Sequence, residues 1–227
     1  SNCIKACPND AIQITTRKPM SELWFLDNPK VEESFLAMAI MGIVLIQNIT
    51  MLTVWQDVLT WIEQTTGITN YPLIFTAAFV VAVSLPVGLL ALAARIAAAG
   101  NLENTLMNFA RFGYALIPLD IAAHVAHNLF HLLAEGSLVF STVASMFGAA
   151  PADGATALAS PAVILILQMA VLALGVAGSA YAIRRITNRR YGSLARRRAT
   201  TAPFMVLLGI LSVLNVYLFM LPMAHRM

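Results

Sequence analysis

Four stretches of this chain run without a charged residue for longer than a soluble core needs. Twenty-three uncharged residues separate Glu33 from Asp57, 31 separate Glu63 from Arg95, 30 separate Asp153 from Arg184, and 27 separate Arg198 from Arg226. About 20 helical residues cross the ~30 Å of bilayer hydrocarbon, so each stretch reads as a membrane span, near 34–56, 72–94, 161–183 and 202–223. Pro72 suits a helix start. Composition agrees: 59% of the residues are hydrophobic and 11% charged, with mean hydropathy +0.77. Soluble domains carry about 25% charged residues, and disordered chains need low hydrophobicity and high charge. Both classes are excluded. Two cysteines cannot build a disulfide framework.

The stretch from Arg111 to Glu135 is apolar but interrupted by Asp120, His124, His127 and His131. It is too long and too apolar for a loop. It reads as a fifth span over 108–134, opened by the polar turn Gly100-Asn101-Leu102-Glu103, and Pro118 is expected to kink it. The basic residues test this count. With five spans, thirteen of the fourteen lysines and arginines fall on one side, as the excess of positive charge in cytoplasmic loops requires. The arginine-rich loop 184–198 holds seven of them. The loops 57–71 and 135–160 carry only acids. The expected fold is all-α: a polytopic bundle of five transmembrane helices in a bacterial inner membrane, N-terminus cytoplasmic and C-terminus periplasmic. Residues 1–20 precede it and 21–33 form an interfacial linker, in which Trp24 and Phe25 suit the headgroup zone.

The chain begins Ser1-Asn2-Cys3-Ile4-Lys5-Ala6-Cys7-Pro8-Asn9-Asp10-Ala11-Ile12. Bacterial ferredoxins bind [4Fe–4S] clusters with a C-x2-C-x2-C-x3-C-P run, and Cys3 and Cys7-Pro8 match its last two cysteines and proline. The preceding cysteine would fall just before Ser1, so the chain reads as cut immediately after a ligand. Two cysteines do not close a four-cysteine cluster, and Cys3 and Cys7 could serve different clusters. This ending, followed by basic residues and membrane spans, resembles the membrane-bound polyferredoxins that accompany periplasmic nitrate and nitrous-oxide reduction and copper-oxidase assembly. The resemblance covers about the first 12 residues. It implies iron–sulfur clusters and electron transfer at the cytoplasmic membrane, with a redox partner protein and membership of a larger membrane complex.

At 100° per residue, Asp120, His124, His127, Asn128, His131 and Glu135 share an arc of roughly 100° on one helix face. Ionisable groups inside a membrane usually line a functional interior. The histidines could hydrogen-bond neighbouring helices, ligate haem b or copper, move protons, or hold a quinone head-group, since imidazole suits each role. His131 and His225 lie at matching ends of their spans and are the expected outer cofactor or metal ligands. His124 and His127 are expected as deeper ligands. Asp120 and Glu135 are expected to act as proton-exchanging groups or to orient a histidine. Met220 and Met223 would favour copper.

The function expected from this pattern is an electron-transfer subunit, one component of an oxidoreductase. It would relay electrons between cytoplasmic clusters and a haem, metal or quinone site in the outer half of the membrane. The alternatives are a copper-handling or ion-transporting protein, or a structural anchor. Nucleic acid is not among the expected partners.

Overall fold

A computed structural model describes residues 16, 21–25, 28–148 and 157–221. Among these the chain is all-helical, with no strand. A short turn, α1 (Glu22–Phe25), precedes α2 (Val31–Thr50), α3 (Thr53–Thr66), α4 (Tyr71–Asn101) and α5 (Thr105–Phe130). A five-residue π-turn, His131–Glu135, joins α5 to α6 (Gly136–Met146); α7 (Pro161–Arg190) and α8 (Leu194–Met220) follow. Five helices are long and apolar enough to cross a membrane: α2, α4, α5 with its extension to Met146, α7 and α8. Cys3, Cys7 and His225 lie outside the described residues.

Local chemistry sets where these helices begin. The Asn70 side chain accepts from the Leu73 amide at 3.2 Å and Pro72 opens α4; the Asn104 side chain accepts from the Leu106 amide at 2.8 Å at the head of α5. Each satisfies a donor that a helix start leaves without an intrahelical partner. Gly67 stops α3 in the left-handed conformation, φ 71°, which glycine adopts without steric penalty.

The helices differ from the expected spans at their ends. The first helix stops at Thr50 rather than 56, and residues 53–66, expected partly as loop, form the separate helix α3. The third runs from Thr105 through the π-turn to Met146, so the expected outer loop 135–160 begins with 11 residues of helix. Pro118 does not end α5. Proline removes its own amide, and the Leu119 amide donates sideways to Ser179 Oγ on α7 at 3.0 Å.

Helix α5 is the hub, packed against α2, α4 and α7, while α8 closes the bundle against α4 and α7. Close approach is built from small residues, as it is in membranes. A methyl group added at Gly175 of α7 would overlap Ala122 Cβ and lie 2.8 Å from the Pro118 carbonyl oxygen, and Gly178 faces Pro118. These two glycines therefore serve helix packing, as their position in the span predicts. Phe112 and Phe204 stack at 3.9 Å in the core, among Met38, Met41 and Leu116. Large apolar side chains such as Ile166, Leu174 and Val213 face outward, as a bundle solvated by lipid requires.

All described lysines and arginines lie toward one end of the bundle, where Glu103 ties the elements together. Its carboxylate accepts from Arg111 (2.5 Å), Arg190 Nε (2.7 Å) and the Tyr191 hydroxyl (2.8 Å). Asn101 Nδ2 donates to Tyr191 Oη and to Asn108 Oδ1, and Arg197 Nε donates to the Tyr191 carbonyl. Burial opposes ionisation of Glu103, but the hydrogen bonds from Arg190 and Tyr191 and the charge of Arg111 outweigh it and hold its pKa below the usual carboxylate value. Burial, then the bond to Glu103, pushes the Tyr191 hydroxyl up to about 12. At the same end, Trp24 of α1 packs edge-on against Tyr181, ring centres 5.2 Å apart.

Candidate functional site

The polar face of α5 divides in the structure. His127 turns inward. It is buried, and its Nδ1 donates to Asn48 Oδ1 on α2 at 2.8 Å, while Asn48 Nδ2 donates to its own helix at the Val44 carbonyl. The other polar groups line two clefts on the outer side of α5. The first lies between α2 and α5, has a volume of about 360 Å³, and is lined by Glu33, Leu36, Ile40, Asp120, Ile121 and His124 among others. The second, about 790 Å³, follows the same helix past the π-turn and is lined by His124, Asn128, His131 and Glu135 with apolar neighbours. His124 belongs to both.

Asp120 is the most constrained group. It is 6% exposed, and its Oδ1 has no hydrogen-bond partner among the described residues. Its neighbours in the cleft are aliphatic apart from His124 and Glu33. A buried polar atom without a partner loses the free energy of its water hydrogen bonds; Trp55 Nε1, Ser137 Oγ and Asn215 Oδ1 share that condition, and what sets Asp120 apart is that its residue lines a cleft. The cleft wall ends in Leu36, Ile121 and Val125, which are exposed on the lipid side of the bundle. The cleft thus opens sideways into the bilayer. Toward the basic end it reaches Glu33, which accepts a hydrogen bond from the Tyr114 hydroxyl and pairs with Lys30 at 3.2 Å.

His131 sits where the helix widens into the π-turn, and its Nδ1 is 2.9 Å from Glu135 Oε2. The His127 and His131 rings meet edge to face, 5.0 Å between centres. Oxygen partners on both Nδ1 atoms leave Nε2 as the free nitrogen of each ring, the arrangement common in metal-ligating histidines. Among the described residues, however, no group of three or more His, Cys, Asp or Glu converges on a common point. The three histidines there share one helix, so a haem held between two facing helices would need a ligand such as His225, beyond the described residues.

The remaining intramembrane polar residues do not join the clefts. Gln168 donates to the Ala126 carbonyl at 2.9 Å across the α7–α5 contact, and Asn215 donates back to the Leu211 carbonyl. Gln168 ties α7 to α5, Asn215 bonds within α8 and reaches Met41 Sδ on α2 at 3.9 Å, and neither lines a cleft. Sequence reasoning missed Glu33 as part of the cleft lining and Tyr114 as the hydroxyl that bonds it. The spacing of Lys30 and Glu33 at the head of α2 was the one available signal, and the pairing with Tyr114 depends on how α2 packs on α5.

Fold and site together define a multi-pass membrane helix bundle with a lipid-facing, carboxyl-containing cleft. Comparison of the chain with known family models, curated proteins and solved structures finds no match.

Proposed function

We propose that this chain is an electron-transfer subunit of a bacterial inner-membrane oxidoreductase, similar to the membrane-bound polyferredoxins. It exchanges electrons between iron–sulfur clusters on its cytoplasmic side and a quinone whose head-group enters the cleft between α2 and α5. Clusters bound in part through Cys3 and Cys7 would supply one-electron chemistry. The observation that supports the quinone is the cleft itself: an apolar slot open to lipid, with a partnerless carboxyl oxygen and an imidazole one helical turn apart, about 6 Å along the axis. Binding sites of this kind are mostly apolar with a few placed polar groups. A quinone ring is flat and apolar with two carbonyl oxygens, and its reduction consumes two protons with two electrons. The Asp120 carboxyl and the His124 imidazole would hydrogen-bond those oxygens and hand over protons.

A photoreactive quinone analogue, irradiated with the protein in its membrane and followed by peptide mapping, tests this reading. Adducts should concentrate in residues 36–40 of α2 and 117–125 of α5, and both Asp120→Asn and Ile40→Trp should reduce them. Labelling spread evenly over lipid-facing helices would refute the assignment.

A further inference from the structure

The basic end of α7 carries two arginines that stand apart from the Glu103 cluster and border the lipid. We propose that Arg184, Arg185 and Asn188 hold the phosphate of an anionic phospholipid whose acyl chains lie along α7. This site is separate from the quinone cleft, which lies between α2 and α5.

At 100° per residue, with Leu174 of α7 taken as zero, Leu167 falls near +20°, Tyr181 near −20°, Arg184 near −80°, Arg185 near +20° and Asn188 near −40°. Leu167, Leu174 and Tyr181 are 41%, 74% and 50% exposed, and Arg184, Arg185 and Asn188 are exposed beyond them. One outward face of the helix thus passes from aliphatic to aromatic to cationic. Arg185 lies 24 residues beyond Pro161, about 36 Å along the axis. A helix that starts at one interface has crossed the ~30 Å of hydrocarbon by that point, so the cations stand at the level of lipid phosphates.

The Arg185 guanidinium lies over the Tyr181 ring, 5.7 Å from its centre, and Trp24 of α1 meets the same ring edge-on at 5.2 Å. A guanidinium stacked on an aromatic face keeps N–H groups for an anion, and its planar fork matches phosphate oxygens. Among the described residues no carboxylate pairs with Arg184 or Arg185: Glu103 takes Arg111 and Arg190, and Glu33 takes Lys30. Two cations and an amide within about one helical turn therefore meet the bilayer without an anion from these residues. An acidic soluble protein would reach the exposed Arg198 on α8 as readily. The apolar stripe of Leu167, Leu174 and Tyr181 leading up to Arg185 suits a lipid, whose chains and headgroup are covalently joined.

Native mass spectrometry of the intact protein, released from a neutral detergent and titrated with phosphatidylglycerol or phosphatidylcholine, tests this. The first phosphatidylglycerol should bind about tenfold or more tightly than phosphatidylcholine, since each base near a headgroup contributes about fivefold. Arg184→Ala/Arg185→Ala should remove that preference, Tyr181→Leu should weaken it, and Arg198→Ala should leave it in place. Inorganic phosphate in large excess should not displace the lipid. No preference in the wild type overturns the proposal. So does a loss in Arg198→Ala equal to that in the double variant, which is the behaviour of a diffuse basic surface for an acidic protein. Displacement by inorganic phosphate overturns it as well, because the site would then belong to a soluble anion.

Discussion

Removing the Glu103 carboxylate should loosen the whole basic end. Glu103 is 17% exposed and Arg111 13%, whereas Arg190 is 56% exposed. A hydrogen bond to a charged group contributes about 1.5–3 kcal/mol net when sheltered, while an exposed ion pair contributes about 0–1 kcal/mol. In Glu103→Ala, Arg111 and the Tyr191 hydroxyl lose an acceptor in a partly buried place, and neighbouring terms do not add in full. The expected loss is about 3–4 kcal/mol. Arg190→Ala should cost about 1 kcal/mol or less, and Glu103→Gln should fall between, because the amide oxygen still accepts. Reversible unfolding in mixed detergent micelles measures all three. The reasoning fails if Glu103→Ala and Arg190→Ala lose the same small amount, since burial would then not distinguish the two partners.

Four further outcomes follow from the structure. The lowered pKa of Glu103 means its contribution is complete above the usual carboxylate value and disappears as pH falls through the lowered one. The raised pKa of Tyr191 means its contribution is complete below the ordinary phenol value of about 10 and is lost as pH rises toward about 12; Tyr191→Phe should abolish that alkaline limb in an unfolding-against-pH series. Gly175→Leu should destabilise the α5–α7 contact by about 1–3 kcal/mol or more, because its first side-chain carbon already overlaps Ala122; wild-type stability in the same assay would contradict the packing described. Asn48→Leu leaves the His127 Nδ1 donor without its acceptor inside the bundle and should cost about 0.5–2 kcal/mol, a loss that His127→Leu in the same background should not deepen.

How much of this was legible in the sequence differs by feature. The five long apolar helices were, because freedom from charge over 20 residues has one structural solution in lipid. Their ends were not. Hydropathy marks the hydrocarbon layer, but α4 continues to Asn101 and α7 to Arg190 until a cap or a loop stops them. Asp57 and Glu63 read as loop acids, yet they ride on the helix α3. The shared arc of Asp120 and His124 was visible from the 100° rule, and the structure puts both in one cleft. The same rule grouped His127 with them, but small rotations decide which edge of an arc faces α2, and His127 faces Asn48 instead. The π-turn at His131–Glu135 alters the helical period locally. The Glu103 cluster joins residues more than 80 positions apart, and its members carry no common motif.

Electron exchange between quinol and iron–sulfur clusters across this chain is the central claim, and one spectroscopic titration addresses it. Membranes containing the protein are oxidised, then given a short-chain quinol of sufficiently low potential, while low-temperature paramagnetic resonance follows reduced clusters. The account predicts a cluster signal that grows with quinol, changes or disappears in Cys3→Ser and Cys7→Ser, and appears at least tenfold more slowly in Asp120→Asn at unchanged cluster content. A signal that never responds to quinol would contradict it, as would one that Asp120→Asn leaves at the wild-type rate.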